Sequence, residues 1–232
     1  MPSVDQAYED LEEDRAIRER EIRLIERYLS EADDEGDRAM LARSLVLLTY
    51  AHLEGFTKFA LLTYASVING MQLACRDAAL PLVAASLNQV FTAMGNVNAK
   101  HRLFADLPSD DAVHIQARRL RFIEQYDSVM DEVVAIPDKA IDTSQNLNSR
   151  TLKRALFQLG LNYPAIDEHN HTLNRLLGER NAIAHGDRLN RPKDTDVQAY
   201  LSMTFKVMLF IQQEVFQALS SGAYQRKAVN DD

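Results

Sequence analysis

Leu176-Leu177-Gly178-Glu179-Arg180-Asn181-Ala182-Ile183-Ala184-His185-Gly186 sets the terms on which the rest of this chain is read. It has the pattern of a helix end: Leu176, Leu177, Ile183 and Ala184 would face a core, and Arg180, Asn181 and His185 would stand at its edge. Gly186 follows at once, as a left-handed residue closing a helix would. A cation, an amide and an imidazole this close can hold a phosphate and move a proton near neutral pH. On a regular helix Asn181 and His185 share a face, but Arg180 and His185 are about 140° apart. The arginine must then use its length, or the helix must loosen near Gly186. Two copies facing across a two-fold axis would ease the problem, since they supply two arginines and two histidines. A plainer reading is that Arg180 and His185 favour the helix dipole and cap its last carbonyls.

Outward from this stretch the chain reads as all-α, a bundle of about six to seven helices with long central ones. Its 232 residues suffice for one sizeable core, and with Gly 8 and Pro 6 there are few breakers. Residues 38–69 are the most apolar helix and should be central. Within it, Glu54 either pairs with Lys58 at i, i+4 on the surface or reaches the Arg180 group. Helices are also expected over 5–32, 81–94, 111–134, 150–159, about 165 or 168 to 185, and 196–219. Their caps are expected at Ser109 or Asp110, at Asn148 or Ser149, and at Asp194 or Thr195. The domain plan is an acidic helix over 1–36 packed on the body, a helical domain over 37–220, and a polar, fraying tail over 221–232. No strand is evident.

The net charge of −8 lies entirely in residues 1–36, and the remainder carries as many bases as acids. That balance excludes a strongly basic footprint and leaves local clusters as the places for phosphate contacts. Arg188, Arg191 and Lys193 follow the decisive stretch directly, and Arg118 and Arg119 make the 111–134 helix locally basic. The acidic start is a solvated helix favoured by the dipole, or a surface for a basic partner. The single cysteine, Cys75, excludes an internal disulfide, and it reads as a small packed side chain. His169 and His171 at i, i+2 do not share a helix face, so no metal site is expected there. There is no nucleotide-binding glycine fingerprint, phosphate loop or nucleophile elbow, and no cofactor is expected. The apolar run 59–68 is too short to span a bilayer. With no signal-like N-terminus, a cytoplasmic protein without a membrane partner is the simplest expectation.

Arg180-Asn181-Ala182-Ile183-Ala184-His185 resembles the signature of the HEPN superfamily. Tyr50-Ala51-His52-Leu53-Glu54-Gly55-Phe56 and Asn146-Leu147-Asn148-Ser149, leading into Leu152–Leu161, are similar to the MAE-type branch of large HEPN-like nucleases. The resemblance covers about residues 37–220. It implies a HEPN-like helical bundle, a homodimer with a composite site at its interface, and metal-independent cleavage of RNA. Arg180 and His185 would be catalytic, Asn181 their polar partner and Glu54 a supporting residue. A role in toxin–antitoxin systems or antiviral defence, with an antitoxin or other regulatory protein as partner, fits the same resemblance. A reading of another class stands beside it: a non-catalytic helical module that binds RNA, a nucleotide or a partner protein.

Overall fold

The computed structural model describes residues 3–96, 98–141, 146–187 and 191–226. Its α-helices are α1 (Val4–Glu31), α2 (Glu35–Gly70), α3 (Leu80–Ser86), α4 (Asn88–Gly95), α5 (Ala112–Asp131), α6 (Ser149–Gln158), α7 (Asn170–Ala184) and α8 (Asp194–Ser220), with three short 3-10 turns between them. Among the described residues there is no strand, only isolated bridges joining Ala74 to Val133 and Ala78 to Gln225. This is the all-α bundle expected, with eight α-helices among the described residues where about six to seven were read.

α2 is the centre. Leu45, Val46, Leu53, Phe56, Leu61 and Ile68 on it are buried, on more than one side, and α1, α7 and α8 pack around it. Each such side chain taken from water contributes about 2 kcal/mol. By length and composition α2 would also pass for a membrane span; its cover of three helices makes it a core helix here. α8 lines the opposite wall through Leu201, Val207, Met208, Ile211 and Val215.

α1 presents Ala7, Leu11, Ile22 and Leu29 to this core. Between Leu11 and Ile22 its inner stripe is polar. Arg15 donates through Nε to Oε1 of the buried Gln212 at 2.6 Å. Arg18 is gripped by Asp14 and lies against Gly55, where a Cβ would come within 2.6 Å of its Nη1. Gly55 is therefore the close-approach point between α1 and α2. Leu24 and Tyr28, an apolar pair at i, i+4 on the same helix, are exposed.

Elsewhere the expected boundaries shift for local reasons. The helix expected over 81–94 is broken at Leu87 into α3 and α4, and Ser86 just before the break accepts the Ala135 N–H through its hydroxyl. α5 is capped by Asp111 rather than Ser109 or Asp110, and it stops at Asp131, because residues 132–134 turn to pair with Leu73–Cys75. α7 begins at Asn170, after a 3-10 turn that occupies Pro164–His169. α8 begins two residues early: Lys193 is the cap residue, and Asp194 lies in the first turn, 3.0 Å from Arg38. The tail does not fray at Ser220. Tyr224 and Arg226 pair with Ala79 and Asp77 through backbone bonds of 2.7 and 2.8 Å. The rest of the expected tail lies outside the described residues.

Two outcomes follow from this packing. Gly160 ends α6 at φ +71°, with the Pro81 ring 3.2 Å from where a Cβ would stand. Gly160→Ala should cost about 1–3 kcal/mol, read as a lower urea midpoint at unchanged m-value. His52, half-buried between α1 and α2 with Nε2 3.0 Å from Glu21, has its pKa lowered by burial, which outweighs the carboxylate. The folded state then prefers neutral imidazole. Its contribution is complete above the unfolded value of about 6.5 and is lost as pH falls below it. On moving from about pH 7.5 to about pH 5.5, wild type should lose more stability than His52→Gln; equal losses would refute the assignment.

Candidate active site

α7 runs along the core on Leu173 and Leu176, and its last turn carries Arg180 and Asn181 out to the edge. The termination is specific. His185 is the cap residue, and Gly186 takes φ +90°. The Gly186 N–H donates to the Ile183 carbonyl at 3.0 Å, and the Asp187 N–H to the Ala182 carbonyl at 3.1 Å. These two bonds define a Schellman turn, which needs a left-handed residue where Gly186 stands.

The half-buried Arg180 guanidinium lies over the Tyr50 ring of α2, 4.6 Å from its centroid. Its Nη1 donates to Asn181 Oδ1 at 2.8 Å and to Asn146 Oδ1 at 3.2 Å. Among the described residues no carboxylate lies within ion-pair distance of it. The cation is thus held by a ring and two neutral amides. With both Nη1 protons engaged, the Nε–Nη2 edge is left to grip an oxyanion by two parallel bonds. Arg180 is therefore not spent on capping the α7 carbonyls.

Glu54 acts one layer below. Its Oε1 accepts the Tyr50 hydroxyl at 3.2 Å and the Leu147 N–H at 3.3 Å. It reaches a neighbour of Arg180, not Arg180 itself, and Lys58 stands exposed on its own. Burial, and secondly Glu54, push the Tyr50 phenol well above its usual range, so it remains a neutral donor. Asn146, at φ +24°, is one of two non-glycine residues at positive φ among those described. Asparagine tolerates that region better than most. Asn148 then caps α6 in a capping box with Thr151, and Asn174 of α7 accepts the Ser149 N–H at 3.1 Å. The 146–149 segment is thereby pinned against both α2 and α7.

A second set of contacts ties α7 to α8. Tyr200 donates to Glu179 at 3.2 Å, with burial pushing its phenol up to about 12, and Arg175 pairs with Asp196 at 2.8 Å.

The structure therefore brings together Arg180, Asn181 and, through Tyr50, Glu54. His185 is exposed immediately beyond α7, and no side-chain contact joins it to the other three among the described residues. Sequence reasoning did not assign Tyr50 or Asn146 to the site. The i, i+4 spacing of Tyr50 and Glu54 on an apolar helix was the available signal for the first; the second stood within the Asn146-Leu147-Asn148-Ser149 string of the resemblance without a role assigned to it. The basic candidates are scattered. Arg191 pairs with Glu35 at 2.6 Å, Lys193 is exposed before α8, and Arg188 lies outside the described residues. Arg118 is committed to the Met94 and Ala99 carbonyls, both at 2.9 Å, so it buttresses the α4–α5 region instead of awaiting a phosphate. Arg119 is exposed on α5, which packs on α4. Among the described residues no cluster of three His, Cys, Asp or Glu side chains could hold a metal.

Glu54→Ala should strand the Leu147 N–H and cost about 1–3 kcal/mol, with the Leu147 amide resonance displaced. Lys58→Ala should stay within about 0.5 kcal/mol of wild type. Comparable costs for the two would restore the surface-pair account of Glu54.

A family model described as RiboL-PSP-HEPN matches residues 13–217, from within α1 to within α8. No curated protein and no solved structure matches the chain.

Proposed function

The chain belongs to the RiboL-PSP-HEPN family, and on that premise we propose that it is an endoribonuclease that cleaves RNA without a metal. The observation that carries the proposal is a guanidinium held in place by Tyr50, Asn146 and Asn181, with no acid to neutralise it, at a helix end that continues into an exposed imidazole. A purely structural arginine at this depth would be expected to have a carboxylate partner.

In the proposed reaction the ribose 2′-oxygen attacks the adjacent phosphorus while its proton passes to a base. The bond from phosphorus to the 5′-oxygen breaks, and that oxygen takes up a proton. The products are a 2′,3′-cyclic phosphate and a 5′-hydroxyl. His185 serves the proton steps, and the Nε–Nη2 edge of Arg180 stabilises the charge that builds on the phosphorane. Asn181 and Asn146 fix the guanidinium, and Glu54 fixes Tyr50 beneath it. One imidazole cannot stand on both sides of the phosphorus at once. A homodimer that pools two copies of the α7 end supplies a base and an acid together. Restraint by an antitoxin or other regulatory protein, and service in defence, fit this proposal.

In a cleavage assay with EDTA, wild type should produce cyclic-phosphate ends, and Arg180→Ala and His185→Ala should each lose about 10²-fold or more in rate. Mixing the two variants should restore part of the activity if the arginine of one copy works with the histidine of the other. Cleavage that survives in both variants would sink the assignment. A folded wild type that binds RNA and never cuts it would favour the non-catalytic module.

A further inference from the structure

α1 is not uniformly acidic. Its acids crowd the first half, and Arg20, Arg23 and Arg27 recur at i, i+3, i+7 along the second. That spacing puts the three on one face, about 10 Å from end to end. All three are exposed, and among the described residues none has a carboxylate within ion-pair distance. Arg23 lies over the Phe205 ring at 4.6 Å and Arg27 over the Tyr28 ring at 5.7 Å, which holds the planar groups while leaving their N–H edges free.

Two hollows flank this stripe and share Arg23 and Arg27. One, of about 650 Å³, extends to Arg20. The other, of about 370 Å³, lies between α1, α2 and α8 and extends to Arg38 and Asp194. Two of the three acids here are paired, Asp194 with Arg38 at 3.0 Å and Glu19 with Arg15, while Glu26 accepts from the neutral Gln198 amide at 3.1 Å and offsets one of the three arginines. The free charge along the groove is therefore positive. At the Arg38 end the groove meets the start of α8, which follows in the chain from the end of α7, and the Arg191–Glu35 pair fastens that connection to the start of α2.

We propose that this groove is a phosphate-binding track: Arg20, Arg23 and Arg27 hold successive phosphates of an RNA strand whose scissile bond lies at the α7 end. The proposal rests on the nuclease reading for its ligand. The shared hollows favour a strand over an isolated nucleotide, because the cations form a line along α1 and not a single nest.

The probe is a fluorescent 2′-O-methyl oligoribonucleotide, which keeps its phosphates but has no 2′-hydroxyl to attack with, so binding is read apart from cleavage. The triple variant Arg20→Gln, Arg23→Gln, Arg27→Gln should bind about tenfold or more weakly, and the slope of log affinity against log salt should fall by about 2. Arg76→Gln, beyond the far end of α2, serves as the charge control and should bind as wild type. Arg27→Gln alone leaves the Phe205 contact intact and should show a smaller loss in the same direction, should the triple variant fold poorly by circular dichroism. Weakened binding together with a wild type that cleaves no RNA upholds the track and sinks the nuclease reading. Binding of ADP that the triple variant loses, with no RNA binding, upholds phosphate recognition and assigns it to a free nucleotide. A wild type that binds neither probe, or a triple variant that binds both as wild type does, overturns the proposal.

Discussion

A 36-residue helix that is apolar on nearly all sides has to be covered on nearly all sides. That requirement governs the architecture. α1 and α8 are long because α2 is long, and with the shorter α7 they lie against it and keep Leu45, Phe56 and Ile68 from water. The polar residues that α2 does carry then become special by necessity. Some, like Thr57, turn back to a carbonyl of α2 itself, and others reach a covering element. His52 finds Glu21 of α1, and Tyr50 and Glu54 find Arg180 of α7 and the backbone at Leu147. The site is thus an outcome of how a core helix satisfies its few polar groups.

Much of the fold was legible because α2 and α8 carry dense apolar patterns and α6 and α7 carry clear end signals at Asn148, Gly160 and Gly186. What was not legible depended on tertiary partners. The break at Leu87 has no glycine or proline to announce it. The stop of α5 at Asp131 depends on a bridge to Ala74, far away in sequence. The inner stripe of α1 is not legible locally because its core contacts include two arginines, Arg15 against Gln212 and Arg18 against Gly55.

Of the site, the sequence displayed the residue types but not their division of labour. Arg180 and Asn181 are adjacent in the chain, so their contact could be anticipated. Asn146 is 34 positions away from Arg180, and its place depends on a positive φ and on the pinning of α6, neither of which follows from local pattern. Counting arginines also misled. Arg118 looked available and is tied to two carbonyls, whereas Arg20, Arg23 and Arg27 sat unnoticed inside a segment whose summed charge is negative.

The Schellman turn at Gly186 has a consequence for how this chain can vary. In a helix each added residue rotates the next side chain by about 100°. Arg180 is held to the core through Tyr50, while His185 is aimed only by where the helix stops. Substitutions on the outer face of α7 leave that relation alone. A single insertion or deletion between Arg180 and Gly186 would turn the imidazole toward another quadrant with every catalytic residue type still present. The length of this segment is therefore under a stricter constraint than its composition, and among related chains the spacing should outlast the identity of the residues between.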